Sequence, residues 1–139
     1  MAKRAPSPVI GKAVLFAKIG FYTFYMPVLE TRYGLKELFS ALSRGKERRP
    51  HEKDIIRRYV RVWMGIKGRI VPQHCWNRTL LLYRFLKTSG YDVAIYTGLR
   101  KDSIGKASIT GHSWITVDGR VFDDREDVTR EYYVTFSYP

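Results

Sequence analysis

Three kinds of residue in the sequence have the types and the order that a thiol nucleophile requires. Cys75 is the only cysteine and starts a helical pattern, His112 opens a predicted strand, and Asp123 and Asp124 follow a tight turn. A thiol with an ordinary pKa of about 8.5 is mostly protonated at neutral pH, and both a helix N-terminus and a neighbouring imidazolium favour the reactive thiolate. A carboxylate commonly orients such an imidazole. The order therefore predicts a nucleophile, a general base and an orienting acid.

The turn between His112 and the two acids decides which acid lies next to the histidine. If Asp118–Gly119 forms a two-residue loop, Asp123 shares a sheet face with His112, offset by one cross-strand pair. If Val117–Gly119 forms a three-residue loop with a left-handed glycine, Asp124 lies directly opposite His112. Both registers are sterically allowed, so the spacing alone leaves the two acids as alternatives.

The elements that must position these residues lie in residues 71–139. A strongly apolar helix starts at Cys75 and ends before Gly90, which has the position of a C-cap. β-forming residues and turn signals then predict a small antiparallel sheet, with the aromatic tail either forming its last strand or packing across it. The segments concerned are Val93–Gly98, His112–Val117, Val121–Phe122 and the tail Tyr132–Tyr138.

The first part of the chain, residues 1–70, is basic and predicted to be helical. It carries 16 basic and five acidic side chains, a net charge of +11, whereas residues 71–139 have a net charge of +1. Apolar residues at helical spacings predict helices over roughly Val9–Met26, Leu35–Leu42 and His51–Ile66. The first helix is expected to end before Pro27.

The most apolar stretch, Val9 to Leu29, is predicted to be an amphipathic helix of a cytoplasmic protein. Lys12 and Lys18 interrupt it, so it matches neither a spanning helix nor a signal peptide cleanly. Contact with a membrane surface is the alternative for this helix. In the cytoplasm the lone thiol is expected to stay reduced.

Length and composition limit the remaining possibilities. The chain has 139 residues, 45% of them apolar, which favours a single domain over residues 1–139. One cysteine excludes an internal disulfide, and the histidines at positions 51, 74 and 112 have no metal-ligand spacing. We therefore expect neither a metal nor another cofactor.

Three arginines of the third predicted helix, Arg57, Arg58 and Arg61, lie mostly off its apolar stripe. Such a group usually forms a solvated helix face. The overall charge of +12 also suits an anionic partner, and the interleaved Tyr59 and Trp63 leave a nucleic-acid-binding module as an alternative. That alternative has no recognised nucleic-acid motif and would leave the cysteine, the histidine and the acids unexplained.

The candidate residues belong to a set of short motifs. These are Cys75–Gly90, Gly98–Arg100, Gly111–Trp114, Val117–Gly119 and Asp123–Val128. Together they resemble the lasso peptide B2 proteins, leader peptidases of the transglutaminase-like superfamily that are related to the microcin J25 processing protein. The resemblance covers about residues 70–130. It implies an α+β fold with a papain- or transglutaminase-like cysteine peptidase core, in which N-terminal helices pack on a small antiparallel sheet.

The resemblance also implies a role for each candidate residue. Cys75 would be the nucleophile and His112 the general base and acid. Asp124 corresponds to the family's orienting acid, which favours the three-residue loop, and Asp123 remains the alternative. Ser113 stands where the family usually has alanine, a difference that is expected to matter little.

The implied activity is cleavage of a ribosomally synthesised precursor between its leader and core peptides. The backbone N–H of Cys75 would hold the oxyanion, with Gln73 or Asn77 as a side-chain donor. The implied partners are the precursor peptide, a separate winged-helix protein that recognises the leader, and a lasso cyclase. The three arginines then become a candidate docking surface for the leader or its recognition protein, and neither nucleic acid nor a membrane span is expected. Acyl transfer to an amine, as in transglutaminases and arylamine acetyltransferases, is the enzymatic alternative.

Overall fold

The computed structural model of the protein describes residues 8–46, 51–70, 75–106 and 111–139. Helices fill the first part of the chain, and strands dominate the second. In chain order the elements are the helices α1 (Pro8–Arg32), α2 (Leu35–Ser43), α3 (Lys53–Gly68) and α4 (Cys75–Thr88), the strands β1 (Val93–Arg100), β2 (Gly111–Val117) and β3 (Arg120–Phe122), the short helix α5 (Glu126–Thr129) and the strand β4 (Tyr132–Tyr138). The predicted α+β fold class is confirmed.

The four strands form one antiparallel sheet with the order β3-β2-β1-β4. The aromatic tail is thus a strand, which pairs with the free edge of β1. Its register shifts between Thr97 and Gly98 of β1. A Cβ atom on Gly98 would lie 2.6 Å from the carbonyl oxygen of Tyr133, so the absence of a side chain is what lets β4 approach this closely.

α4 is the central helix of the core and lies against the sheet. It is buried on almost every side, which explains why apolar residues follow one another without a polar stripe. Its buried apolar side chains are Leu80, Leu81, Leu82, Tyr83, Phe85 and Leu86. α1, α2 and α3 pack against α4. α2 also reaches the sheet, where the ring of Phe39 stacks on Phe136 and Tyr138 at centroid distances of 5.7 and 4.9 Å. The N-terminal helices and the sheet therefore share one core.

α1 does not end before Pro27, as the sequence predicted, but continues to Arg32. Proline has no N–H group, so the carbonyl group of Thr23, four residues earlier, loses its helical donor. The buried ammonium group of Lys67 on α3 donates to this carbonyl oxygen instead, at 3.0 Å. The helix passes through the proline because a residue from another helix satisfies the carbonyl group that the proline leaves free.

α1 is also apolar on the side that faces away from the core. Leu15, Ile19 and Met26 are buried, yet large apolar side chains are exposed elsewhere on the same helix. These are Val9, Ile10, Val14, Phe21, Phe24 and Val28. The predicted amphipathic character was therefore wrong, because the helix has no continuous polar side. Val9–Arg32 is long and apolar enough to cross a membrane, and only 28% of its apolar window is buried inside the protein.

The remaining helix predictions are confirmed to within two residues. Gly90 ends the α4 segment with a φ of +92°. The N–H groups of Gly90 and Tyr91 donate to the carbonyl oxygens of Lys87 and Leu86, both at 3.1 Å, which satisfies the last turn of the helix. The one-turn helix α5 was not predicted, since four residues carry too little periodicity to be recognised.

Candidate active site

Cys75 is the first residue of α4 and its side chain is half-buried. It is hydrogen-bonded to His112, and Ser113 contributes one hydrogen bond from its side chain and one from its backbone. The hydrogen bond with His112 is the largest effect on the Cys75 thiol, and with the Ser113 bonds it lowers the pKa from 9.0 to about 6, although burial opposes the shift. The unsatisfied N–H groups at the start of α4 favour the same charge. The lowered pKa therefore favours the thiolate form of Cys75 at neutral pH.

His112 lies between the thiol and a carboxylate. Its Nε2 atom is 2.5 Å from Oδ2 of Asp124. The hydrogen bond with Cys75 is the main cause that raises the pKa of His112, with a further contribution from Asp124 and an opposing one from burial. Both pKa shifts favour the same state, in which an imidazolium lies beside a thiolate.

Aromatic side chains surround the imidazole ring. The ring centroid of His112 is 5.1 Å from that of Tyr132 on β4 and 6.0 Å from that of Trp114 on β2. Trp114 stacks in turn on Tyr96, at 5.8 Å, and only 6% of it is exposed. These contacts restrict the rotation of the imidazole. No local pattern indicates the contact with Tyr132, because it depends on the pairing of β4 with β1.

The hairpin that joins β2 to β3 has a two-residue loop, so the three-residue loop favoured by the resemblance was wrong. Val117 pairs with Arg120. Asp118 and Gly119 have φ values of +52° and +80°, the left-handed conformation that a tight type I′ hairpin requires at both positions. The sequence Asp-Gly suits this turn because aspartate and glycine are both tolerant of positive φ.

The two-residue register nevertheless brings Asp124, and not Asp123, to the histidine. The strand pairing ends at Phe122, and Asp123 has a φ of +59°. A left-handed residue rotates the chain, so the alternation of side chains along β3 does not extend beyond it. Asp124 then reaches His112, and its Oδ1 accepts a hydrogen bond from the N–H of Arg125 at 2.8 Å. Strand alternation alone could not have predicted this outcome.

Asp123 has a different set of contacts, which we call the arginine clamp. Its Oδ1 is 2.5 Å from Nη2 of Arg61 on α3, and its Oδ2 is 3.5 Å from Nε of Arg78 on α4. Only 2% of the Asp123 side chain is exposed. The clamp therefore ties the residue next to Asp124 to two helices, one of which begins with Cys75.

Ser113 and Thr79 connect the first turn of α4 to β2. The hydroxyl oxygen of Thr79 is 3.1 Å from that of Ser113, and the Thr79 hydroxyl donates to the carbonyl oxygen of Cys75 at 2.7 Å. Serine at position 113, which was expected to matter little, supplies a hydroxyl group that is hydrogen-bonded to Cys75 and contributes to the lowered pKa of the thiol. Alternation along β2 places Ser113 on the same face as the buried Ile115 and Val117, so it could have indicated that Ser113 faces the core helix.

The other predicted site residues differ in what the structure describes of them. Asn77 is half-buried in the first turn of α4, and the backbone N–H of Cys75 is at the N-terminus of the same helix. Gln73 lies outside the described residues. Among the described residues, no group of three or more His, Cys, Asp or Glu side chains is placed to hold a metal ion.

The three arginines predicted as a docking surface have separate environments. Arg57 pairs with Asp54 at 2.7 Å, and its guanidinium lies over the ring of Phe122, 5.1 Å from the centroid. Arg61 belongs to the arginine clamp, while Arg58 is exposed and forms no ion pair with another described residue. Acids of this chain neutralise Arg57 and Arg61, so among the described residues the predicted docking surface is reduced to Arg58.

The arrangement suits acyl transfer through a thioester. A thiolate can attack a carbonyl carbon, the adjacent imidazolium can protonate the leaving group, and the carboxylate holds the imidazole in position. A family model described as "Transglutaminase-like superfamily" matches residues 26–137 of the chain. No curated protein and no solved structure is significantly similar to the chain. The superfamily is typically enzymatic and cysteine-dependent and includes both cysteine peptidases and acyltransferases. On this match, which extends over most of its length, the chain belongs to the transglutaminase-like superfamily.

Proposed function

We propose that the chain is a cysteine peptidase that removes the leader peptide from a ribosomally synthesised lasso peptide precursor. The observation that carries the proposal is the hydrogen-bonded series of Cys75, His112 and Asp124, in which the pKa of the thiol is lowered to about 6. The resemblance of the surrounding motifs to the lasso peptide B2 proteins supports the choice of substrate.

In the first half of the reaction, the Cys75 thiolate attacks the carbonyl carbon at the junction of leader and core. The backbone N–H of Cys75, at the helix N-terminus, would donate to the resulting oxyanion. The imidazolium of His112 then gives its proton to the departing nitrogen as the C–N bond breaks. The core peptide leaves with a free amine, and the leader remains bound to Cys75 as a thioester.

In the second half, neutral His112 takes a proton from water, and the hydroxide attacks the thioester. The C–S bond breaks, the leader leaves as a carboxylic acid, and the thiolate and imidazolium are restored. Asp124 holds the imidazole in the orientation that both proton transfers need. No metal or other cofactor takes part in this cycle.

Recognition of the leader is proposed to come from a separate winged-helix protein, and the freed core amine would pass to a lasso cyclase. Arg58 is exposed and forms no ion pair with another described residue, so it is the best-placed of the three arginines to contact an acidic leader or that protein. Arg58→Ala leaves the arginine clamp unchanged, so it tests docking separately from stability. We expect it to weaken cleavage at low precursor concentration with no change in the unfolding midpoint.

The test is cleavage of a lasso precursor by the full chain together with the recognition protein, followed by mass spectrometry. Cys75→Ala should abolish cleavage, and Asp124→Asn should lower the rate by about a hundredfold or more, because the imidazole loses its orienting charge. Asp127→Asn makes the same chemical change three residues away, on an exposed acid, and should leave the rate unaltered. Cleavage by the Cys75→Ala variant at the wild-type rate would refute the proposal.

The same assay distinguishes hydrolysis from acyl transfer. The thioester can be offered water alone or water with a series of primary amines, and the leader product identified by its mass. A leader acid as the main product in both cases is the result that a peptidase gives. A leader amide that dominates at low amine concentration would assign the chain to the acyltransferases of the superfamily instead.

A further inference from the structure

The outward side of α1 carries a continuous apolar stripe that the proposed function does not use. Val14, Ala17, Phe21, Phe24 and Val28 follow one another at spacings of three and four residues, so they lie on one side of the helix. Phe21 is 61% exposed and Phe24 49%. Together with the exposed apolar residues at the N-terminal end of α1, the stripe exposes on the order of 500 Å² of apolar surface to solvent. This area is typical of an interaction site.

A groove between α1 and α3 extends this stripe. The indole ring of Trp63 lies directly on Gly20, where a Cβ atom would be 2.4 Å from the ring. The groove has a volume of about 630 Å³ and is lined by Phe16, Ala17, Gly20, Phe21, Phe24, Tyr25 and Trp63. α3 adds the exposed apolar side chains Val62 and Ile66, which share the side of that helix with Trp63. The stripe and the groove together form what we call the α1 face.

The charges around the α1 face are almost all positive. Lys18 and Arg32 are exposed on the side of α1 that carries the stripe, and the helix has a single acid, the half-buried Glu30. The whole first part of the chain, residues 1–70, has a net charge of +11. A second copy of the chain would bring two such basic parts together, which like-charge repulsion disfavours. An anionic lipid surface complements both the apolar side chains and the charge.

We propose that α1 lies in the headgroup layer of an anionic bilayer, with Phe21 and Phe24 inserted at the boundary of the acyl chains. The helix rests on the membrane and does not cross it, because its other side is fixed to the protein. The ammonium of Lys67 donates to the carbonyl oxygen of Thr23, and Nε1 of Trp63 donates to that of Phe16 at 2.8 Å. A spanning orientation would break these bonds or carry the buried charge into hydrocarbon.

The experiment is co-sedimentation of the full chain with vesicles of phosphatidylglycerol and phosphatidylcholine, and with vesicles of phosphatidylcholine alone. We expect wild type to bind the anionic vesicles and to lose affinity as the salt concentration rises. The double variant Phe21→Glu, Phe24→Glu should bind about tenfold or more weakly, since it removes the inserted rings and adds two negative charges. Tyr133→Glu, Val134→Glu is the matched control, with the same charge change on exposed residues of β4.

Each outcome of these measurements either supports the proposal or overturns it. Retained binding by the β4 variant with lost binding by the α1 variant supports the proposal. Equal binding to both vesicle types, or equal loss in both double variants, overturns it, and so does a wild-type dimer in sedimentation velocity that the α1 variant dissociates. If the α1 variant does not fold, a fluorophore attached at Val14→Cys in a Cys75→Ala background gives the answer. Its emission should shift to the blue on anionic vesicles, whereas the same label at Val134→Cys should not respond.

Discussion

The arginine clamp predicts the effect of a conservative change next to the candidate active site. Asp123→Asn removes the negative charge that Arg61 and Arg78 share, and it keeps the shape of the side chain. Asparagine also tolerates the left-handed backbone that this position adopts, with its φ of +59°. The substitution therefore isolates the ion pairs from the backbone conformation, which Asp123→Ala would also disturb.

The size of the effect follows from the exposure of each partner. Removal of one member of a fully buried ion pair costs about 3–5 kcal/mol, because the other charge is left unsolvated. Here the Asp123 carboxylate is 2% exposed, but the side chains of Arg61 and Arg78 are 62% and 33% exposed and can be rehydrated. We therefore expect the free energy of unfolding to fall by about 1–2 kcal/mol, the range for a hydrogen bond to a charged group at a partly open site.

Two measurements test this reasoning. Urea unfolding gives the stability, with Asp127→Asn as the control for loss of an acid at an exposed position. Alkylation of Cys75 as a function of pH then reports whether Asp124 still holds His112. Because the clamp positions the neighbouring carboxylate, the midpoint of the Asp123→Asn profile should move upward from about 6.

An unchanged free energy of unfolding would refute the clamp, and an unchanged alkylation midpoint would refute its influence on the site. Arg61→Gln provides the reciprocal test. Arg61→Gln should destabilise the protein, and less so when Asp123→Asn is already present, since contacting residues are not additive. A residue that served only in docking would affect precursor binding and leave stability unaltered.

Two further predictions concern the thiol and the proline in α1. The rate of alkylation of wild-type Cys75 should rise with pH to a plateau, with a midpoint of about 6, because the thiolate forms as the pH passes the lowered pKa. His112→Ala should move this midpoint strongly upward, and Ser113→Ala weakly upward. A midpoint common to all three proteins would contradict the assigned hydrogen bonds. Lys67→Met should lower the free energy of unfolding by about 1–3 kcal/mol by leaving a buried carbonyl group unpaired. The same change should cost about 1 kcal/mol less in a Pro27→Ala background, where the restored N–H can donate, and equal costs by urea unfolding would show that Lys67 does not replace the missing helical bond.

Much of the fold follows from local patterns, and the exceptions share one physical cause. α2, α3 and α4 have the predicted positions because periodicity and the C-cap glycine act within a few residues. The continuation of α1 past Pro27 depends on Lys67, which only the packing of α3 on α1 brings near. No pattern in the neighbourhood of the proline contains that information.

The candidate site likewise combines features that local patterns predict with features that depend on tertiary structure. The types and order of Cys75, His112 and the two acids were sufficient to select the residues that the structure brings together. The choice between Asp123 and Asp124 required a backbone angle, because a left-handed residue ends the strand alternation from which the prediction was made. The assignment of Arg61 to docking was made from helix spacing, which cannot reveal that the buried carboxylate of Asp123, just after β3, lies against it.

The order of the residues along the chain also determines when the thiol becomes reactive. His112 and Asp124 belong to one hairpin and are 12 residues apart, so they can meet in a locally formed structure. Cys75 precedes both and leaves the ribosome first, as an ordinary thiol that is mostly protonated at neutral pH. Its activation waits until α4 has docked on β2, because the groups that lower its pKa are His112 and Ser113 of that strand. A nascent or misfolded chain therefore carries an unactivated thiol, and the thiol becomes strongly nucleophilic only with native packing.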